Sequence, residues 1–244
     1  VVEGERAADF TLDPAEVERV VREHEPHVVF LTSPNNPTGM IEPRERVVQL
    51  LELAPGLVVV DEAYAQFADW TALDLVDEAR PLVVTRTFSK TWSMAGARLG
   101  YLVGPRWLVS ELDKVVLPYH LDAVKQIAGR LALRFSGDMD RRVRQIVDER
   151  QRIVDTLSEL PVEVFPSGAN FVLFRVGRGR SVWQALVDRG VLIRDCSSWP
   201  RLTDCLRVTV GTSEENTAFL DALADVLAAP DPSLSPSSAT GASA

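Results

Sequence analysis

The chain has 244 residues, of which 46% are apolar, and its net charge is −9. This content is enough for a sizeable core in one or two domains, and the acidic balance argues against nucleic acid or an anionic membrane as a partner. No apolar run approaches the roughly 18 residues that a membrane span needs.

The first half of the chain alternates short apolar strands with helices. Polar residues follow three of the strands: Asn36 lies after the first, Asp61 ends the second and Thr87 follows the third. Continuous apolar strands are typical of a sheet buried on both faces, so we expect a mostly parallel α/β layer with a ligand site at the strand carboxyl ends. The predicted elements are helices over 14–25 and 43–53 and strands over 27–32, 57–61, 82–86 and 99–103.

The second half of the chain has a different order of predicted helices and strands. A long helical pattern runs over about 121–160 with a break near 136–138. Strands follow over 163–165, 170–176, 191–194 and 206–210, with helices over 181–189 and 213–227, the last capped by Ser213. We therefore predict a large first domain over 1–125, a connecting helix with a smaller α+β domain over 126–228, and a disordered Pro/Ser-rich tail over 229–244.

Lys90 is the residue most suggestive of chemistry. A lysine alone is most often a solvated surface residue. Lys90, however, follows Thr87-Phe88-Ser89 and precedes a Gly-containing loop, a context that favours an amine holding pyridoxal phosphate. Asp61 ends a buried strand, and its carboxylate suits the ring nitrogen of such a cofactor, although a helix cap or an edge charge is the alternative.

Further candidates surround these two residues. Asn36 lies in the turn Asn35-Asn36-Pro37-Thr38-Gly39, and its amide suits the phenolic oxygen of the cofactor. Tyr64 suits the same oxygen, and a core tyrosine is the alternative. Two hydroxyls and a guanidinium suit a phosphate group, on Thr87, Ser89 and Arg98.

Three residues beyond 160 are candidates for substrate binding. Period-two alternation places Arg207 on one face of its strand with Cys205 and Thr209, where it suits a substrate anion. Arg194 is a weaker second anion contact. Asn170 is either a substrate contact or a turn cap.

The cysteines and histidines of the chain bear on metal binding and on the cellular compartment. The chain has two cysteines and three histidines, and none has the spacing of a metal site. We predict no bound metal, and we expect Cys196 and Cys205 to be free, buried thiols. The first ten residues are charged and unlike a signal peptide, so we expect a cytoplasmic protein.

Together these segments resemble fold-type I pyridoxal-phosphate aminotransferases, and within that family the histidinol-phosphate type. The matching segments follow family order through nearly all of 9–227. They are SPNNPTG (33–39), VVVDEAYAQF (58–67), RTFSKTWSMAGARLGYLVG (86–104), LPYH (117–120), GANFVLF (168–174) and LRVTVGT (206–212).

The resemblance implies a large cofactor domain with a smaller C-terminal domain, a homodimer, and amino-group transfer to a 2-oxo acid in histidine biosynthesis. It implies that Lys90 binds pyridoxal phosphate covalently and that Asp61 meets the pyridine nitrogen. Asn36 and Tyr64 would meet the phenolic oxygen. Thr87, Ser89 and Arg98 would hold the phosphate, and Arg207, assisted by Arg194, would bind the substrate anion.

The chain departs from the family pattern at its beginning. Family members start well upstream of the position that matches Val1, and that part normally supplies a phosphate loop, an aromatic that stacks on the cofactor and a tyrosine from the dimer partner. We therefore expect a fragment or a truncated product that binds the cofactor weakly by itself. Two alternatives stay open: a decarboxylase of a phosphorylated amino acid that uses the same cofactor, and a non-catalytic remnant.

Overall fold

Two four-stranded sheets, each with its own apolar core, form the framework of the fold. The computed structural model describes residues 1–229. The tail predicted over 229–244 lies, from residue 230 onward, outside the described residues. The domain boundaries predicted near 125 and 228 stay predictions.

The first sheet has the strand order β1-β2-β3-β4, and β1, β2 and β3 are parallel while β4 is antiparallel to β3. This confirms the mostly parallel α/β layer, whose chain order is a helix before each of the first two strands and a helix after the fourth. The elements are α1 (Pro14–His24), β1 (Val28–Thr32), α2 (Arg44–Leu53), β2 (Leu57–Asp61), β3 (Leu82–Thr87), β4 (Gly100–Val103) and α3 (Arg106–Asp113).

Side-chain alternation along β2 and β3 builds a core on each face of this sheet. Val58 and Val60 of β2 pack with residues of α1 and α2, whereas Val59 packs with Leu108 of α3 on the opposite face. The outer strands differ from the expected two-sided burial, since Phe30 of β1 is 76% exposed. Val29 and Leu31 of β1 face the core with α1 and α2, whereas Val28, on the same face as Phe30, is 43% exposed, so this face of β1 is largely uncovered.

Two helices joined by a short 3-10 turn connect the sheets. They are α4 (Ala123–Ala132) and α5 (Ser136–Ser158), and the turn is Leu133–Phe135. The break predicted near 136–138 is present directly before these residues, at the 3-10 turn. Residues 136–138 themselves form the first turn of α5, where amide groups lack intrahelical partners and a glycine costs little. No helix within residues 1–229 is long and apolar enough to cross a membrane.

The second sheet is antiparallel and has the order β5-β6-β8-β7. Its core joins Ile153 and Leu157 of α5 to Phe174, Leu206 and Leu223. The elements are β5 (Glu163–Val164), β6 (Phe171–Arg175), α6 (Gly179–Val187), β7 (Arg194–Asp195), β8 (Cys205–Thr209) and α7 (Ser213–Ala228).

Two details of this half differ from the sequence prediction. The strand predicted over 191–194 is wrong, because only Arg194–Asp195 pairs with β8, while Val191 and Ile193 pack on the core beside α6 without strand pairing. The cap of α7 is Thr212, not Ser213. The Thr212 hydroxyl accepts from the Glu215 amide at 3.2 Å, and Glu215 accepts from the Thr212 amide at 2.8 Å, which satisfies two free donors at once.

The core of the second sheet predicts a selective loss of stability. Leu206 is fully buried and Leu192 is 78% exposed. Leu206→Ala should lower the free energy of unfolding by about 2–5 kcal/mol, because it removes apolar contacts and leaves a cavity. Leu192→Ala should change it by less than about 0.5 kcal/mol. Urea unfolding followed by circular dichroism measures both, and equal losses would contradict this assignment of the core.

Candidate active site

A cavity of about 330 Å³ opens where β2 and β3 end. The parallel register pairs Asp61 with Thr85, so the two strands finish at the same edge of the sheet. The volume lies at the lower end of the range typical of small-molecule sites. The lining residues are Asp61, Ala63, Thr85, Arg86, Thr87, Ser89, Lys90 and Arg98.

The Asp61 carboxylate is held at the wall of this cavity by its own turn. Its Oδ1 accepts from the Ala63 amide at 3.0 Å, and its carbonyl accepts from the Ser33 amide at 3.0 Å. Asp61 is half-buried. Arg86, on the neighbouring strand, points its guanidinium to Glu62 and not to Asp61.

The loop after β3 carries Lys90 into the cavity. The Thr87 hydroxyl accepts from the Ser89 amide at 3.0 Å and lies 3.4 Å from the Leu99 carbonyl, to which it donates. These bonds tie the start of the loop to the chain that leads into β4. Lys90 itself is exposed, so its amine is free to reach a ligand. Arg98 ends the loop in the left-handed region with φ 51° and donates to the Ala95 carbonyl at 3.2 Å.

Tyr64 joins the cavity to the second sheet. Its ring is buried and meets Phe171 of β6 edge-on, with centroids 5.2 Å apart. The Lys90 Nζ lies 5.1 Å from the centroid of the same ring. Tyr64 is therefore a core residue that also faces Lys90, so both interpretations of this tyrosine describe part of its environment.

Arg207 brings a cation from β8 to the turn after β1. Its Nη1 donates to the Asn36 Oδ1, and its guanidinium lies 4.7 Å from the Phe171 ring centroid. The Arg207 Nε is buried without a hydrogen-bond partner among the described residues. A guanidinium with an unused donor is suited to an anion.

The other two substrate candidates lie outside the cavity lining. Arg194 is exposed and sits opposite Arg207 in the β7–β8 register, so two cations are side by side at this edge. The Asn170 carbonyl accepts from the Val210 amide at 2.9 Å. Asn170 thereby extends the pairing of β6 with β8 by one residue.

The turn that carries Asn36 needs its glycine. Both Ser33-Pro34 and Asn36-Pro37 are cis, and Gly39 has φ +81°. A Cβ on Gly39 would lie 2.8 Å from the Ser167 Cβ, so a side chain would clash there as well as strain the backbone. This close approach joins the turn to the segment before β6, where the Gly168 amide donates to the Gly39 carbonyl at 2.8 Å.

Sequence reasoning missed two polar groups next to the site. One is the buried Glu62–Arg86 ion pair. Each member adjoins a residue that was predicted, Asp61 or Thr87, and period-two alternation was the signal that places both on the opposite face. The second is Arg150 of α5, which donates to the Phe67 carbonyl at 3.1 Å and to the Ala169 carbonyl at 2.8 Å.

Arg150 connects the two halves of the chain. Phe67 follows Tyr64 in the first half, and Ala169 precedes β6 in the second. Burial lowers the pKa of the Arg150 guanidinium, although the charge of Asp69 opposes this effect. An arginine stays charged under such conditions because its ordinary pKa is far above neutrality. Two carbonyl oxygens thus compensate a half-buried cation that α5 carries.

The sequence model of the family described as aminotransferase class I and II matches residues 1–223. The chain belongs to this family. The same family is indicated by a curated relative, histidinol-phosphate aminotransferase 2 of Nitrosococcus oceani, which is 44% identical over 220 residues. The match covers 88% of this chain and 61% of that relative, so the chain spans about three fifths of the relative's length.

Solved structures show the same fold. Histidinol-phosphate aminotransferase from Sinorhizobium meliloti, in complex with pyridoxal-5'-phosphate, is 28% identical with a TM-score of 0.80, covering 93% of this chain and 64% of that one. L-threonine-O-3-phosphate decarboxylase from Porphyromonas gingivalis is 26% identical with a TM-score of 0.72, covering 82% of this chain and 64% of that one. These likenesses confirm the expected fold class.

The two cysteines lie beside Arg207, and their burial can be tested by the rate at which they react with a thiol reagent. Both are free and fully buried, and burial raises the pKa of each thiol. Less thiolate forms at a given pH, so at pH 8 both should react with Ellman's reagent at least about tenfold more slowly than in the unfolded chain. The control is the same protein in denaturant, where both should react rapidly. Rapid labelling of the native protein would contradict the burial.

Proposed function

We propose that this chain is the lysine-bearing part of a pyridoxal-phosphate-dependent aminotransferase of the histidinol-phosphate type. The observation that carries the proposal is the shared cavity of Lys90 and Asp61 with the hydroxyls of Thr87 and Ser89 and the guanidinium of Arg98. The 44% identity with the N. oceani relative supports the choice of substrate. The amino donor would be a phosphorylated amino alcohol, and the acceptor 2-oxoglutarate.

The chemistry of the lining suits this cofactor. An amine, a carboxylate and a cluster of phosphate-binding donors meet in a cavity of small-molecule size. When bound, pyridoxal phosphate supplies an aldehyde that binds amines covalently and a ring that withdraws electrons from the substrate. Thr87, Ser89 and Arg98 would hold its phosphate, since hydroxyls and guanidinium groups donate to phosphate oxygens.

Three residues would control protons around the ring. Lys90 Nζ would hold the cofactor and then carry a proton to and from the reacting carbon of the substrate. The Asp61 carboxylate would face the pyridine nitrogen and favour its protonated form. The hydroxyl of Tyr64, next to Lys90, would donate a hydrogen bond to the phenolic oxygen of the cofactor.

Asn36 and Arg207 would act together. Arg207 donates to the Asn36 Oδ1, which leaves the amide N–H groups of Asn36 available for the phenolic oxygen. The Arg207 Nε lacks a partner among residues 1–229, so the substrate anion would take this donor. Arg194 would add positive charge nearby, and Asn170 would contact the bound substrate.

Assembly and compartment complete the proposal. Several large apolar side chains from the end of α3 to the first turn of α4 are at least 74% exposed, which supports a homodimer in which a second copy covers them. They are Val115, Leu117, Tyr119 and Val124. Free, buried thiols at Cys196 and Cys205 support a reducing, cytoplasmic location.

The assay that tests the reaction supplies histidinol phosphate and 2-oxoglutarate and measures glutamate. The likeness to the P. gingivalis decarboxylase favours one second candidate, decarboxylation of a phosphorylated amino acid. The same protein is therefore given O-phosphothreonine, and carbon dioxide is measured. Glutamate without carbon dioxide supports the aminotransferase, and carbon dioxide alone supports the decarboxylase. Absence of both products fits a non-catalytic remnant and equally a fragment that binds the cofactor weakly by itself.

Lys90→Ala should abolish the covalent cofactor adduct. The chain has three lysines, Lys90, Lys114 and Lys125, so borohydride reduction followed by peptide mass spectrometry assigns the adduct directly. Labelling should fall by at least about a hundredfold in Lys90→Ala, because no other amine is held at the cavity. Lys125→Ala, which removes a partly exposed lysine on α4, is the control and should label normally. A reduced adduct at Lys114 or Lys125 in the native protein would refute the assignment.

Asp61→Asn should separate cofactor binding from amino transfer. The asparagine retains an oxygen for the Ala63 amide but lacks the charge that favours a protonated ring nitrogen. The amino-transfer half-reaction should slow about a thousandfold, equivalent to about 4 kcal/mol, while borohydride still labels Lys90. Single-turnover kinetics measures the rate, and Asp148→Asn on the exposed side of α5 is the control. Native-like rates in Asp61→Asn would argue against a carboxylate role.

A further inference from the structure

We propose that Glu62 and Arg86 form a positioning pair that holds the ends of β2 and β3, and with them Asp61 and the lysine loop, in the geometry of the cavity. The catalytic consequence of this inference depends on the proposed function. Its structural part does not, because it concerns the protein without any ligand.

The pair is buried and closely bonded. The Arg86 Nε and Nη2 donate to the Glu62 Oε2 at 3.0 and 2.7 Å, and the Glu62 and Arg86 side chains are 3% and 13% exposed. The Thr71 hydroxyl donates to the Glu62 carboxylate at 2.8 Å and accepts from Arg86 Nη2 at 2.8 Å. The Ala72 amide donates to the Glu62 Oε1 at 2.5 Å. The carboxylate therefore accepts from donors of two other chain segments, Arg86 of β3 and the adjacent residues Thr71 and Ala72.

The bonded groups of the pair lie on the face of the sheet opposite the hydroxyls of the cavity, although Arg86 is itself among the lining residues. In β3, Arg86 alternates with Thr85 and Thr87, so it points to the face where Leu82 and Val84 pack, away from the lining hydroxyls. Glu62 alternates with Asp61 in the same way. The Glu62 amide donates to the Thr85 carbonyl at 2.9 Å, which continues the β2–β3 register beyond Asp61. The ion pair thus joins the two strands one residue from Asp61 and one residue from Thr87.

A contribution to stability alone does not explain why an ion pair occupies this position. The same face of the sheet is otherwise apolar, with Val58, Val60, Leu82 and Val84 in its core. A buried ion pair loses much of its attraction to the cost of desolvation, and apolar residues of similar volume often stabilise as well. Its bonds are directional, however, so they specify one separation and one rotation of the strand ends. Apolar packing would specify these less closely.

Arg86→Met tests the pair against a matched ion pair elsewhere. Arg6 and Glu42 are also ion-paired, with side-chain exposures of 17% and 2%, so Arg6→Met removes a comparable cation. Hydrogen exchange of the ligand-free protein should show at least about tenfold faster exchange at the Glu62, Ala63 and Ser89 amides in Arg86→Met. In Arg6→Met the change at these amides should be under about twofold. Borohydride labelling of Lys90 at limiting pyridoxal phosphate should fall about tenfold in Arg86→Met and stay near native in Arg6→Met.

Thr71 supplies a milder variant that keeps both charges. Thr71→Val removes the hydroxyl shared by Glu62 and Arg86 and should give a smaller change of the same pattern, about threefold in exchange at the same amides. Thr71→Ser keeps the hydroxyl and should restore native exchange and native labelling. This pair of variants applies even where Arg86→Met folds poorly, and rescue by serine separates the bond from the bulk of the side chain.

The outcomes divide as follows. Faster exchange confined to the strand ends, with serine rescue, supports the positioning pair. Unchanged strand-end exchange in Arg86→Met, or equal changes there in Arg6→Met, overturns it and leaves a purely structural ion pair. Absence of labelling at Lys90 in the native protein at saturating pyridoxal phosphate refutes the proposed function instead, and the ligand-free exchange comparison still decides the question of the pair.

Discussion

The parallel pairing of β2 with β3 is the constraint on which the site depends. Because Asp61 pairs with Thr85, both strands end at one edge, and their last side chains divide between the two faces of the sheet. One face receives the carboxylate and hydroxyls of the cavity. The other receives the Glu62–Arg86 pair. Because side chains alternate along each strand, neighbouring residues form an open polar cavity on one face of the sheet and a closed, hydrogen-bonded ion pair on the other.

The second sheet contributes what the first cannot supply from its own edge. Arg207 reaches Asn36 from a strand 171 residues later in the chain, and Phe171 lies between Arg207 and Tyr64. The aromatic ring gives the guanidinium a favourable face and also fixes Tyr64 edge-on. Gly39 lets Ser167, in the segment before β6, approach the turn that carries Asn36. The position of Asn36 is thus set jointly by its own turn and by the packing of β6 and β8.

The sequence predicts the elements whose apolar pattern lies within one continuous segment of the chain. The strands Leu57–Asp61 and Leu82–Thr87 each begin with an apolar run and end in polar residues, so their ends and the neighbouring Lys90 could be located from the sequence. The Glu62–Arg86–Thr71 cluster could not, because its members belong to three separate segments and no periodicity links them. The strand expected over 191–194 failed for a related reason: apolar residues beside α6 are buried by packing without strand pairing, and the sequence alone does not separate the two cases.

Arg150 has a consequence for how this family's sequences can vary. Its partners are the main-chain oxygens of Phe67 and Ala169, and every amino acid, proline included, retains that oxygen. Substitution at 67 or 169 therefore leaves the acceptors in place, whereas substitution of the arginine removes both bonds together. These bonds between the two halves of the chain therefore restrict the amino acid at one position only, that of Arg150. Methods that infer contacts from correlated substitutions would pass over them, even though they join segments 83 and 19 residues away from Arg150.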